Sequence, residues 1–258
     1  MLGAITGDII GSVYESSRIK PEFDFPFFVE ESEFTDDTVL TVALADSILH
    51  DRDFMFTMRE YYGLYPDRPY GGTFRRWAMG KIRNPYNSWG NGSAMRVSPI
   101  GWAFNDIETV LSKAKESAEI THNHPEGIKG AQATALAIYL CRQNKTKDEI
   151  KSEIEKRFSY NLNLDLEDLR KNYNLDVSCQ GTVPQAIFTF LVSENFEDSI
   201  RKAIYIGGDS DTLACINGSI AEAFYRGVPE EIKKIVFKKL DALITRVVKE
   251  FSDKFIKY

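Results

Sequence analysis

The sequence has little of what staples or anchors a chain. It holds three cysteines, Cys141, Cys179 and Cys215, widely spaced and with no C-x-x-C pair. That excludes a disulfide framework and a thiolate zinc site, and predicts three buried, reduced thiols in a cytoplasmic protein. No stretch approaches the roughly 18 apolar residues of a membrane-spanning helix. Residues 131–141 are among the longest apolar runs, and Gln132 and Thr134 interrupt them. No basic residue precedes Leu2-Gly3-Ala4-Ile5, so the start does not read as a secretory signal. A Ser/Pro/Gly-rich linker and a repeat of fixed period are also missing. Positive charge is in deficit: 32 Lys+Arg against 38 Asp+Glu give a net charge of −6. Such a chain lacks the global basic field of a nucleic-acid binder, and only local basic patches remain open to it.

Strand signals are scarce too, confined to residues 25–29 and 177–180. What the sequence has is helical periodicity. Val39, Leu40, Val42, Ala43, Leu44, Ile48 and Leu49 surround most of a helix that starts near Asp36, which predicts a buried helix. Pro125, Pro184 and Pro229 read as first-turn residues of three more helices, the last running to about Phe251. Weaker helices are expected over residues 2–14, 53–61, 106–120, 147–158 and 196–205. Residues 144–174, rich in Lys, Glu, Asp and Asn, read as solvated helix and loop. At 258 residues and 43% hydrophobic, the chain can bury a core without staples. One all-α domain over residues 1–258, monomeric, is the expected architecture. Gly3, Gly7 and Gly11 fall at i, i+4 and i+8 on one helix face. Glycine inside a helix costs about 1 kcal/mol against alanine. The stripe therefore predicts close approach of another backbone or of a ligand.

Two acidic segments each open an apolar helix: Thr35-Asp36-Asp37-Thr38 and Gly207-Gly208-Asp209-Ser210-Asp211-Thr212. Acids and hydroxyls at helix starts serve as caps and suit the helix dipole. If the two segments meet, four carboxylates share one site, and unpaired they repel at a desolvation cost of several kcal/mol each. Oxygen donors without His or Cys point to a hard cation, Mg²⁺, Mn²⁺ or Ca²⁺. By spacing alone, helix caps and a shared metal site both remain open. Three further features could carry chemistry. Glu15 follows the glycine-patterned helix. Gly92 and Ser93 in Gly90-Asn91-Gly92-Ser93-Ala94-Met95-Arg96 offer backbone amides to a phosphate. His122 and His124 precede the helix at Pro125.

Taken together, Gly7-Asp8 with Glu15, Thr35-Asp36-Asp37-Thr38, the segment 90–96, Thr121-His122 and the segment 207–212 resemble, in order, the ADP-ribosylglycohydrolase family. The likeness is to its dinitrogenase reductase-activating glycohydrolase and ADP-ribosyl hydrolase types, and it runs from Gly3 to about Tyr225. It implies a compact, orthogonal all-α fold with a binuclear Mg²⁺ centre (Mn²⁺ as the substitute) in a cleft. By that resemblance the metal ligands fall on Thr35, Asp36, Asp37, Asp209, Asp211 and Thr212, with Glu15, Asp36 and Asp211 in catalytic roles. Gly71, Gly72, Asn91, Gly92, Ser93, Met95 and His122 fall on the substrate-binding groove. The implied reaction is hydrolysis of the glycosidic bond between ADP-ribose and a protein side chain, such as arginine or serine, or a small conjugate. ADP-ribose is then the product. Two alternatives accompany it: hydrolysis of free ADP-ribose-type nucleotides, and a non-catalytic ADP-ribose binder. Pro69-Tyr70 stand where the dinitrogenase reductase type carries an aspartate, and Asp67 is the nearest acid, so the acceptor stays open.

Overall fold

A computed structural model describes residues 1–15 and 20–257. In chain order its helices are α1 (Leu2–Gly11), α2 (Asp36–His50), α3 (Phe54–Leu64), α4 (Gly72–Ala78) and α5 (Gly92–Met95). Next come α6 (Ser98–Ala103), α7 (Ile107–Glu119), α8 (Pro125–Arg142), α9 (Lys147–Phe158) and α10 (Leu166–Asn172). The chain ends with α11 (Cys179–Leu191), α12 (Phe196–Tyr205), α13 (Ser210–Phe224), α14 (Glu230–Lys239) and α15 (Ala242–Phe255). The fold is all-α. Among the described residues the only β-type pairing is an isolated bridge between Gly90 and Ser178. Neither strand candidate forms a strand. Residues 25–29 are coil with one bend, and residues 177–180 run through that bridge into α11.

Two helix starts differ from the sequence reading. Pro184 lies inside α11, which begins at Cys179 under a Ser178 cap on the Gly181 N–H. A proline there forfeits only the bond to the carbonyl of Gln180, a residue exposed to solvent. The helix expected from Pro229 to about Phe251 is two helices. The chain breaks at Leu240, and Asp241 recaps it by accepting from the Ile244 N–H at 2.9 Å. The first helix also stops at Gly11 rather than residue 14. The short α4, α5, α6 and α10 span too few turns to show a periodicity.

Helices α1, α2, α8 and α13 form the interior. Every residue of α1 is buried, as is every residue of α13 from Ser210 to Ala223. The glycine stripe explains how they meet. A Cβ at Gly3 would lie 2.1 Å from the Gly218 carbonyl oxygen, one at Gly7 1.9 Å from that of Ala214, and one at Gly11 2.5 Å from the Asp211 Cα. Backbone therefore packs on backbone, and the N-terminus of α13 is brought to the end of α1. The other partner of α1 is α2. Asp8, fully buried, accepts from the Thr35 N–H at 2.9 Å, the Thr35 hydroxyl at 2.7 Å and the Thr38 N–H at 3.1 Å. The Thr38 hydroxyl also donates to it. One helix thus joins the starts of α2 and α13, although Asp37 and Asp209 are far apart in sequence. The three cysteines are buried free thiols. Among the described residues no helix is long and apolar enough to cross a membrane.

Candidate active site

The two acidic helix starts converge on one cleft of about 340 Å³. Its walls include Glu15, Asp36, Asp37, Asp209, Asp211 and Thr212. Carboxylate oxygens of Asp8, Asp37 and Asp211 lie within 4.8 Å of one another, and so do those of Glu15, Asp209 and Asp211. Asp211 belongs to both groups. Among the described residues no Lys, Arg or His forms an ion pair with these six acids. Burial first, and neighbouring carboxylates second, hold Asp37 and Asp211 well above the usual carboxylate range. The same causes push Asp36 up to about 7 and raise Glu15, while Asp8 is raised by burial alone, against the hydrogen bonds from Thr38 and Thr35 that lower it.

Capping accounts for only part of this arrangement. The Thr35 hydroxyl accepts from the Asp37 N–H at 3.2 Å and so caps α2. Asp209 holds the equivalent position on α13, yet its side chain makes no capping bond. Its Oδ2 instead accepts from Asn91 Nδ2 at 2.6 Å. Asp37 Oδ1 is buried with no hydrogen-bond partner. A buried carboxylate oxygen aimed at nothing the chain supplies, among other hard oxygen donors, fits a divalent cation. The positive φ of Gly207 (76°) and Gly208 (86°) turns the chain into α13 just before Asp209.

Across the cleft, Gly71, Gly72, Thr73 and Phe74 form one wall and Tyr86, Ser88, Gly90, Asn91, Gly92, Met95 and His122 form another. Arg96 Nη2 donates to Thr121 Oγ1 at 2.9 Å, and that oxygen lies 2.7 Å from His122 Nδ1. A Thr121 hydroxyl that accepts from Arg96 keeps its own proton free to donate to Nδ1. The tautomer with the hydrogen of His122 on Nε2 is compatible with this network. Burial and the Arg96 charge hold His122 well below the usual imidazole range, so the ring is neutral. Nε2 lies beside Gly92, 3.1 Å from where a Cβ would stand.

The hydroxyl protons of two expected site residues are taken up within the protein. Ser93 is fully buried and its hydroxyl donates to the Gly127 carbonyl at 2.7 Å. Its side chain is part of the core, and only its backbone could serve the cleft. The Thr35 hydroxyl proton is engaged by Asp8. His124 caps α8 through the Glu126 N–H. Residues that the sequence reading did not assign to the site also stand here. Asp8 is the lone acid of an otherwise uncharged helix, a signal that was readable. Tyr86, which lines the cleft, and the half-exposed Trp89, between the lining residues Ser88 and Gly90 in the chain, carried no such signal.

A helical body thus holds a central cleft that gathers carboxylates from two helix starts. Residues 1–256 match the family model described as ADP-ribosylglycohydrolase, and the chain belongs to that family. It is 26% identical to the ADP-ribosylhydrolase ARH3 of Mus musculus, over 98% of this chain and 91% of that protein. It is 26% identical to the ARH3 of Bos taurus over 89% of this chain and 85% of that one. A solved structure titled ADP-ribosylglycohydrolase-related protein complex superposes with a TM-score of 0.73 at 22% identity. That match covers 98% of this chain and 95% of the other, and it shows the shared fold.

Proposed function

We propose that this protein is a Mg²⁺-dependent hydrolase, with Mn²⁺ as a substitute, that cleaves the glycosidic bond between ADP-ribose and a modified acceptor. The acceptor is a protein side chain, such as arginine or serine, or a small conjugate, and ADP-ribose is released. The observation that carries this reading is the convergence of Asp8, Asp37 and Asp211, and of Glu15, Asp209 and Asp211, into two oxygen clusters sharing Asp211. Thr35, Asp36, Asp37, Asp209, Asp211 and Thr212 would hold two ions. Such ions, when bound, orient vicinal ribose hydroxyls and make a nearby water more acidic.

The chain's own residues supply the rest. Glu15 stands at the open edge of the cleft, and its raised pKa keeps it protonated further up the pH scale. It is the group placed to give a proton to the leaving atom or to take one from water as an oxocarbenium-like state forms. Asn91 fixes the Asp209 carboxylate from the facing wall. His122 Nε2–H and the backbone N–H groups of Gly92 and Ser93 are donors for the pyrophosphate. The exposed indole of Trp89 offers a face for the nucleobase. The three reduced thiols fit the cytoplasm, and the molecule acts as a monomer.

The test is a panel of ADP-ribosyl-arginine, ADP-ribosyl-serine and small conjugates, assayed with Mg²⁺ and with EDTA. Turnover of at least one, abolished by EDTA, is the expected result. Asp211→Asn should lose both turnover and the Mg²⁺-induced rise in Tm. Glu15→Gln should keep the Tm rise and lose turnover by about 10²-fold or more. Full activity in Glu15→Gln overturns its role. Asp211→Asn that retains both properties overturns the metal assignment.

A further inference from the structure

Residues 68–105 contain no Asp or Glu but carry Arg68, Arg75, Arg76, Lys81, Arg83 and Arg96. This is a run of six positive charges in a chain of net charge −6. Three of them are engaged inside the protein. Arg68 pairs with Glu33 and covers the Phe34 ring. Arg75 donates to the carbonyls of Pro66, Arg68 and Tyr70. Arg96 is buried behind the cleft. The other three, Arg76, Lys81 and Arg83, are exposed, and their side chains make no hydrogen bond or ion pair among the described residues. On other surfaces, cations sit opposite acids three or four residues away, as in Lys113–Glu116, Lys145–Glu149 and Arg201–Glu197. A patch with no acid to neutralise it is therefore unusual in this molecule.

The patch is held in place. The N–H groups of Lys81 and Ile82 both donate to the Arg76 carbonyl, at 2.9 and 3.2 Å. Gly80, at φ 74°, makes the turn, and Arg59 lies over the Trp77 ring beneath it. The segment leaves the cleft wall at Phe74 and rejoins it at Tyr86. The exposed face of α4 continues from Gly72 and Thr73, which line the cleft, to Arg76 and Met79. The approach along this face is open, because a Cβ at Gly71 or Gly72 would meet nothing within 4 Å. Two glycines that neither a neighbour nor a positive φ demands leave room at the mouth for something that enters.

We propose that residues 75–85 form a basic docking strap for an acidic segment of the protein that carries the ADP-ribosyl group. The proposal rests on the hydrolase reading above and names the class of its macromolecular substrate. Charge complementarity selects an anionic partner. The patch favours a polypeptide over a nucleotide chain because its aromatic rings, Phe74 and Trp77, are buried. No base could stack there, and single-stranded nucleic acids are held by stacking as well as by charge. The exposed non-polar side chain among the cations is Met79, which suits contact with a peptide.

The test uses the intact protein and a fluorescent Asp/Glu-rich peptide, its Asn/Gln counterpart and a single-stranded oligonucleotide of equal charge. Fluorescence anisotropy should show the acidic peptide binding about tenfold tighter than the neutral one at low salt. The preference should vanish at high salt and in the triple variant Arg76→Glu, Lys81→Glu, Arg83→Glu. A triple Gln variant with unchanged Tm guards against a folding artefact. In turnover, kcat/KM for an ADP-ribosylated acidic peptide should fall in the triple variant, while a peptide-free conjugate is hydrolysed as by wild type. Equal binding of the two peptides overturns the strap, as does tighter binding of the oligonucleotide. If no conjugate is turned over, the hydrolase reading fails, and the anisotropy result still decides the strap.

Discussion

A Cβ added at Gly3, Gly7 or Gly11 would fall within 1.9 to 2.5 Å of the backbone of α13, whereas one added at Gly71 or Gly72 would meet nothing within 4 Å. Only the second set lines the cleft, and the two, though chemically identical, do opposite things. The first lets two backbones touch and so fixes where Asp209 and Asp211 stand relative to Asp37. The second keeps empty space in front of those acids. A missing side chain can be a packing device or an entrance, and only its surroundings say which.

The sharpest way to break this comparison is to add a methyl group to each set. Gly7→Ala forces α1 off α13 and should cost about 3 kcal/mol or more, since the clash is with backbone that cannot rotate away. Thermal unfolding should show a lower Tm, and the Mg²⁺-dependent rise in Tm should shrink because the acid clusters lose register.

A second test addresses the acids that the first glycine set brings together. The folded pKa values of Asp36, Asp37 and Asp211 lie above the unfolded value near 3.8, with Asp36 raised to about 7. The folded state therefore holds more protons than the unfolded state between those limits. Stability of the metal-free protein should be fully present below about pH 4 and fall as pH rises towards about 7. Tm measured in EDTA across that range checks this, and Mg²⁺ should flatten the slope. By the same reasoning Asp37→Asn should raise the Tm of the metal-free protein while abolishing the response to Mg²⁺. A Tm in EDTA that rises with pH overturns the account of unpaired acids.

The smallest effect belongs to the open glycines. Gly72→Ala, at the first position of α4, should leave the fold intact and stabilise it by about 0.5 kcal/mol, by restricting the unfolded chain. Its signature should be a KM raised for a protein-sized conjugate and unchanged for a small one. A fall in Tm as large as that of Gly7→Ala removes the distinction between the two sets.

Much of this was legible because it is local. The periodicity around Val39–Ile48 and after Pro125 marked buried helices. The adjacent acids at 36–37 and 209–211 stood out against apolar helices, and the glycine stripe announced a close contact. The failures share one cause. Pro184 looked like a helix start because the loss it causes depends on whether Gln180 faces water. The helix from Pro229 looked continuous because the break at Leu240 comes from α14 and α15 packing separately. That the Ser93 hydroxyl belongs to the core was not legible, because Gly127, which takes its proton, is 34 residues away.

The sequence by itself determined the helices, the acids that open two of them and the absence of staples, since periodicity, caps and composition act between near neighbours. It also held the acid-free stretch 68–105, a matter of counting. Tertiary structure alone decided that the two acidic starts share one cleft, and that Asp8 joins them. It also decided that Asp209 caps nothing and that Gly71 and Gly72 face open space. Those outcomes depend on which backbones touch across nearly two hundred residues of chain, a global packing result that no local spacing encodes.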